Sequence, residues 1–254
     1  MKLKVLGCSG GIGGNLRTTS FLLDHDVLID AGTGAMNLSV AELMLIDHVF
    51  ITHSHLDHIA SIPFLVDTVG GMRDKPITLH ATEKTLNALK EHIFNWLIWP
   101  DFNHIPTKDK PFMIYAPFSV GETIALGERK ITALPANHVV PAVGFQLDSG
   151  RHSLVFSGDT TTNDALWTEV NKIENLSHLI IETAFSNKEL DLAVAAKHLV
   201  PSLLVEELKK LKKTAQIYVT HLKPGEIELI MSEIERDAVE FKPRMLENNQ
   251  IIEF

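Results

Sequence analysis

Three imidazoles and a carboxylate fall within six positions of the run Thr52-His53-Ser54-His55-Leu56-Asp57-His58, directly after the apolar stretch His48-Val49-Phe50-Ile51, which reads as a buried strand. Side chains two apart on an extended chain point the same way, so His53 and His55 can share one metal ion. Asp57 and His58 follow the turn and can face a second. Gathering four strongly hydrated groups at a strand end without a cation would leave several polar atoms unpaired, which favours a metal centre over a solvated histidine-rich turn.

Neutral imidazole and carboxylate donors must fill about four or five positions around each ion, so a two-ion site needs donors from distant sequence. Three segments offer them in one pattern. Ala133-Leu134-Pro135-Ala136-Asn137-His138 ends an apolar segment in histidine, Leu154-Val155-Phe156-Ser157-Gly158-Asp159 ends one in aspartate, and Ile217-Tyr218-Val219-Thr220-His221 ends one in histidine again. Each delivers a donor at the carboxyl end of a strand, where open α/β folds place their sites.

The succession His53-x-His55-x-Asp57-His58, His138, Asp159 and His221 resembles the metallo-β-lactamase superfamily of dinuclear hydrolases, in matching order along nearly the whole chain. The resemblance implies that His53, His55 and His138 hold one ion and Asp57, His58 and His221 the other, with Asp159 bridging. Asn95-Trp96-Leu97-Ile98-Trp99-Pro100-Asp101, Ile181-Glu182-Thr183-Ala184-Phe185-Ser186-Asn187, His198-Leu199-Val200-Pro201 and His221-Leu222-Lys223-Pro224 together resemble the class II cyclic nucleotide phosphodiesterases. Val200 departs from that pattern, standing where relatives carry threonine.

The expectation is therefore two divalent ions, zinc favoured, with manganese and iron also suited to imidazole and carboxylate donors. The implied reaction is hydrolysis of 3′,5′-cyclic AMP or GMP to the 5′-monophosphate by a hydroxide shared between the ions. A ribose leaving group needs a general acid, and His198 is the candidate, with Glu182 beside it to raise its pKa and fix its orientation. Asp57 completes the catalytic set. The first rival is a tRNA 3′-processing endonuclease, which resembles the same constellation, followed by hydrolysis of thioesters, lactams or lactones on the same scaffold. His104, with Trp96 and Trp99 just upstream, is read as a wall against which a nucleobase stacks, with core packing of the tryptophans the alternative. His25, His48, His80, His92, His152 and His178 are read as structural.

The formal net charge of -9 argues against broad nucleic-acid binding, which draws on clustered Lys and Arg. The one basic run, Lys209-Lys210-x-Lys212-Lys213, is expected to complement a helix end. A small-molecule substrate is the expected partner, and helix faces rich in Leu and Ile leave core and homodimer surface both open. One cysteine, Cys8, suits a reducing compartment, and no apolar run of the roughly 18 residues needed to span a membrane occurs, so a cytoplasmic protein is expected. Gly7-x-Ser9-x-Gly11 fits a nucleophile-elbow template only weakly, and its glycines instead suit a close approach of backbone to the metal pocket.

These donors need strands to carry them. Strand patterns recur at Lys2 to Leu6, Ser20 to Leu23, Val27 to Asp30, Ile77 to His80, Phe112 to Tyr115, Ile124 to Leu126, Lys130 to Leu134, Val143 to Leu147, Ser153 to Phe156, Leu179 to Glu182 and Gln216 to Thr220. Helical patterns cover Met36 to Leu45, Ile59 to Val69, Glu83 to Phe94, Asp164 to Ile173, Pro201 to Lys212 and Glu226 to Glu240. Asn103 to Pro111 is read as a long loop near the substrate side. A single domain over residues 1–254 is expected, an α/β protein built as a four-layer αββα sandwich, in agreement with the resemblance.

Overall fold

Leu28, Val49 and Ile51 alternate along the chain with Val27, Ile29 and Phe50, and the two sets are buried in different places. The first set packs under helices, and the second meets another sheet. A strand covered on both faces reads as an unbroken apolar run, which is how these segments read. The same split recurs in the second half of the chain, where Val155, Leu179, Ile181 and Val219 face helices while Leu154, Phe156, Ile180 and Tyr218 face the other sheet.

The computed structural model describes all residues, 1–254. In chain order the elements are β1 (Lys2–Gly7), β2 (Ser20–Leu23), β3 (Val27–Ile29), α1 (Val40–Leu43), β4 (His48–Phe50), α2 (Leu56–Ile59), α3 (Ile62–Val69), β5 (Ile77–Thr82), α4 (Glu83–His92), β6 (Pro106–Thr107), β7 (Lys110–Pro111) and β8 (Met113–Phe118). Then follow β9 (Thr123–Leu126), β10 (Arg129–Pro135), β11 (Val143–Asp148), β12 (Ser153–Phe156), α5 (Asp164–Val170), β13 (Leu176–Glu182), α6 (Leu190–Ala196), α7 (Pro201–Leu208), β14 (Gln216–Thr220), α8 (Ile227–Asp237), β15 (Arg244–Met245) and β16 (Ile251–Glu253).

One seven-stranded sheet runs β16-β1-β2-β3-β4-β5-β8 and the other β15-β14-β13-β12-β11-β10-β9. Both sheets share a plan, antiparallel strands giving way to parallel ones at β3–β4 and at β12–β13. Edge-to-face ring pairs lock them together, Phe21 on Phe156 with centroids 5.0 Å apart and Phe50 on Phe145 at 5.8 Å. Helices cover the outer faces, giving the expected four layers.

Several expected elements differ in detail. The helix expected over Met36 to Leu45 is a 3-10 turn over Thr33–Asn37 followed by the single turn α1, because Ser39 starts a new helix with a reciprocal capping box to Glu42. The helix expected from Ile59 to Val69 is broken at Ala60-Ser61 into α2 and α3, with a proline in the first turn of α3. Strand β16 and helix α6 have no counterpart in the sequence reading. The basic run does follow the end of α7, where Lys209 pairs with Glu206 and Lys210 with Glu207 and Asp164.

The stretch from Asn103 to Pro111 carries the small β6–β7 hairpin, and it lies away from the metal-binding segment. Ile77 pairs with Met113 and Thr78 with His48, so the start of β8 is level with the starts of β4 and β5, at the end of the sheet opposite His53. Phe112, next to the hairpin, also crowds Gly70 at the end of α3. The substrate-side placement expected from sequence is therefore corrected: short parallel strands fix which end a connection occupies, and polarity alone does not.

Within the sheet, His80 of β5 pairs with Phe50 and stacks on its ring with centroids 4.3 Å apart, and its Nε2 lies 3.0 Å from His48 Nδ1. Burial, with the His48 ring adding to it, pushes the His80 imidazole down to about 4. A histidine of the unfolded chain titrates near 6.5, so between these values the unfolded state binds a proton that the folded state refuses. Stability is then fully present above about pH 6.5 and declines as pH falls toward 4. Replacing His80 by Phe should remove that component: the wild-type protein is expected to lose about 2 kcal/mol more than His80→Phe between pH 7 and 4.5, measured by urea unfolding of chelator-treated samples. A constant difference between the two proteins across that range would contradict the assignment.

Candidate metal centre

The carboxyl ends of β4, β10, β12 and β14 come together between the two sheets, and each is followed by a donor named from the sequence. His53, His58, Asp159 and His221 are no more than 1% exposed, and His138 is 7% exposed. His55 and Asp57 are half-buried, on the side open to solvent. Four overlapping sets each bring one donor atom per residue within 4.8 Å of the others: His53 with His55 and His138, His53 with His58 and Asp159, Asp57 with His58 and His221, and His138 with Asp159 and His198. All seven sequence-predicted donors are thus in one place.

Asp159 lies between the groups. Its Oδ2 is 3.7 Å from His53 Nε2 and 3.3 Å from His58 Nε2, and its Oδ1 is 3.5 Å from His221 Nδ1. Asp57 Oδ2 is 4.0 Å from His58 Nε2 and 3.7 Å from His221 Nε2. His53 Nε2, His58 Nε2, Asp159 Oδ1 and both ring nitrogens of His221 are buried without a hydrogen-bond partner. Buried polar atoms are almost always paired, so this many orphans pointing at common space fit cations as the missing partner.

The ring nitrogens on the far side are held. His58 Nδ1 is 2.7 Å from Asp30 Oδ2, His53 Nδ1 is 3.0 Å from Thr52 Oγ1, and His138 Nδ1 is 3.1 Å from the Lys197 carbonyl oxygen. Asp30 also accepts the Thr52 amide and hydroxyl, each at 2.8 Å. Through Thr52, one fully buried carboxylate orients a histidine of each set, and such outer partners fix the tautomer and raise ligand basicity.

The electrostatics suit donors to cations. Burial holds His138 down at about 4 and His221 at about 3, so both are neutral imidazoles able to donate a lone pair. Burial, with His58 next, likewise depresses His53. His58 is the exception: burial opposes its charge, but Asp159 and Asp30 on its two sides raise it well above the ordinary histidine value. A metal ion at Nε2 would take the place of that proton, so metal uptake there should release one.

Two further residues stand where the sequence placed them. His198 Nδ1 is 2.7 Å from Glu182 Oε1, and its ring lies nearly parallel to His221 with centroids 5.2 Å apart. Glu182, at the end of β13, also accepts the amides of Thr160 and Leu199. Burial works against charge on His198, but Glu182 outweighs it and raises the imidazole above its usual value. Val200, the departure from the family pattern, is the residue before α7 and supplies no side-chain cap, and it is absent from every donor set. Gly10 allows the close approach read from its loop, since a Cβ there would stand 2.5 Å from the His221 carbonyl oxygen.

Of the tryptophans read as a nucleobase wall or as core, Trp99 is partly buried against the first core cluster, edge-on to Phe64 of α3, while Trp96 is 62% exposed; His104 pairs with Asp101 at 3.0 Å. Asp30, Thr52 and Lys197 were not singled out from sequence. Asp30 carried a signal, because Val27-Leu28-Ile29-Asp30 repeats the pattern of an apolar strand ending in a donor.

Replacing Asp30 by Ala should weaken divalent-metal binding by about 10- to 100-fold, the usual cost of removing a ligand's outer partner. Competition with a chromophoric chelator measures it, and wild-type affinity in a folded Asp30→Ala protein would contradict the role given to this carboxylate.

Comparison with known proteins bears on the same site. A family model described as a beta-lactamase superfamily domain matches residues 25–222. A probable 3′,5′-cyclic-nucleotide phosphodiesterase of Yersinia pestis is 25% identical over 207 residues, which cover 71% of this chain but 58% of that protein's length. A 3′,5′-cyclic-nucleotide phosphodiesterase of Aliivibrio fischeri is 26% identical over 274 residues, covering 86% of this chain and 80% of the relative. A ribonuclease Z of Clostridium beijerinckii is 32% identical over 152 residues, 56% of this chain and 47% of that one. Among solved structures, unliganded yeast PDE1 matches with a TM-score of 0.82 at 16% identity, covering 100% of this chain and 99% of that one. The metallo-beta-lactamase fold protein YhfI from Bacillus subtilis gives 0.78 at 19% identity, covering 99% of both chains. The match over residues 25–222 and the two helix-covered mixed sheets place this chain in the beta-lactamase superfamily, with the metallo-β-lactamase fold.

Proposed function

We propose that the protein is a dinuclear-metal phosphodiesterase that opens 3′,5′-cyclic nucleotides to 5′-monophosphates. The observation that carries this reading is the His198–Glu182 pair, 2.7 Å apart and stacked on the donor His221. Hydrolysis of a ribose phosphodiester expels a poor leaving group, and a histidine kept protonated beside the donors is the residue such a reaction needs. The two relatives named for cyclic nucleotides support the substrate class.

His53, His55 and His138 would hold one ion, Asp57, His58 and His221 the other, and Asp159 both, with zinc the favoured metal. When bound, the ions would supply positive charge against the phosphodiester and bring a water toward neutral pKa. The protein's own groups do the rest. Asp57, the half-buried carboxylate of the set, would accept a hydrogen bond from the attacking water and orient it. His198 holds a proton on Nε2 while Nδ1 is held by Glu182, and gives that proton to the departing ribose oxygen. Leu56 and Val139, which directly follow His55 and His138 and are 65% and 50% exposed, would offer apolar surface to a nucleobase.

The second reading is a tRNA 3′-processing endonuclease, favoured by the ribonuclease Z relative at 32% identity. The net charge of -9 ranks it lower, since an RNA substrate is gripped through phosphate neutralisation. Turnover of cyclic AMP, cyclic GMP, bis(p-nitrophenyl) phosphate and a tRNA precursor by metal-replete protein separates the two: cyclic nucleotides are expected to be cleaved fastest, and faster cleavage of the tRNA would reverse the ranking.

The acid role has its own test. His198→Ala should lower kcat on a cyclic nucleotide by about 10²- to 10⁴-fold with metal content unchanged. It should cost far less on bis(p-nitrophenyl) phosphate, whose aryl leaving group departs without a proton. Equal losses on both substrates would rule out proton donation by this residue.

A further inference from the structure

Lys197 is one of seven residues other than glycine with positive φ, and it is the one that separates α6 from His198. With φ 54° and ψ 53° it occupies the left-handed conformation that ends a helix and that glycine or asparagine usually fills. A lysine there costs about 1 kcal/mol in backbone strain. Strain of this kind persists where surrounding contacts over-determine it, and it gathers at functional sites.

The contacts here run both ways across one gap. The Lys197 carbonyl oxygen accepts from His138 Nδ1 at 3.1 Å, while its ammonium donates to the His138 carbonyl oxygen at 3.3 Å and to Asn137 Oδ1 at 3.2 Å. Asn137 is in turn fixed to the loop after Asp159, its amide donating to Thr160 Oγ1 and its side chain to the Thr162 carbonyl. On the other side of Lys197, the His198 amide donates to the Ala193 carbonyl at 2.8 Å, and the left-handed turn aims the His198 ring between His138 and His221. Glycine would make the turn and present the same carbonyl. Only a long cationic side chain also reaches back to the Asn137-His138 loop.

We propose that Lys197 is a positioning residue whose side chain clamps the Asn137-His138 loop to the end of α6, so that the His138 ring, its Nδ1 proton held by the Lys197 carbonyl, stays fixed against the His198–Glu182 pair. The bridge makes the end of β10 and the end of α6 one unit, so His138 cannot shift without displacing His198. This rests on His138 being a metal ligand, as in the function proposed above, but not on the substrate.

Lys197→Gly and Lys197→Met test it, since the first removes strain and bridge together and the second removes the bridge alone. Chelator competition with zinc should find one of two ions bound about 10-fold more weakly in both variants and the other unchanged. The metal-free Gly variant should melt no lower than wild type, because strain is relieved. In zinc-loaded protein, long-range ¹H–¹⁵N correlation spectra should show His138 with its proton on Nδ1 throughout, because the carbonyl partner is kept, with a sharp signal in wild type and an exchange-broadened one in both variants, where the loop is no longer clamped. Wild-type affinity for both ions in the folded Gly or Met variant would overturn the proposal, as would an unaltered His138 signal. Failure of the underlying ligand assignment reads out differently, as a wild-type protein that binds fewer than two zinc ions.

Discussion

The buried carboxylate of Asp159 sets the terms for everything around it. It is 1% exposed and has imidazole nitrogens of three histidines within 3.7 Å, yet Oδ1 has no hydrogen-bond partner. Taking that charge out of water costs several kcal/mol unless positive charge repays it, and the one cationic side chain that approaches is His58, which Asp159 and Asp30 themselves keep protonated and which a metal ion at Nε2 would replace; no lysine or arginine comes near. The pocket is therefore organised around an obligation to bind cations. The short strands, the two stacked sheets and the outer partners of the histidines all serve to keep several neutral nitrogens pointed at the same few ångströms of space.

Rigidity is supplied in tiers. Asp30 and Thr52 fix His58 and His53 from within the first sheet, and Glu182 fixes His198 from the second. Lys197 and Asn137 join the loops between them. Metal donors on loops would ordinarily be loosely placed, but here most follow a strand end by only one to three residues, and the loops are cross-linked. Groups that must act together on one substrate need that relative fixity, because a misplacement of about 1 Å can cost 10²-fold in rate.

The sequence made the donors legible because a charged or ring-nitrogen residue at the end of an apolar strand breaks the pattern conspicuously. It made most strands legible for the same reason, since β3, β4, β12 and β14 are apolar on both faces. Asp30 escaped notice because an aspartate before Ala-Gly also reads as a turn. Helix α6 escaped because Leu192 and Val194 face solvent and Ala193 is its one buried residue, so no apolar stripe marks it. The stretch from Asn103 to Pro111 was misplaced for a different reason. Polarity marks a segment as a loop, while its position depends on which end of β5 and β8 the connection joins, and only the strand pairing decides that. Lys197 carries no local signal, as its role lies in partners some sixty positions away.

The pairing of β1 with β16 sets Lys2–Lys4 against Ile251–Glu253 in one edge of a sheet that also carries His53. Those segments are separated by almost the full length of the chain. During synthesis, then, β1 waits for its partner until residue 251 has left the ribosome, and His53 waits for His221 nearly as long. A nascent chain can shape the first α/β half early, but it cannot gather all its donors until residue 221, or complete the pairing of its first strand until residue 253, has emerged, which makes late maturation a built-in property of this architecture.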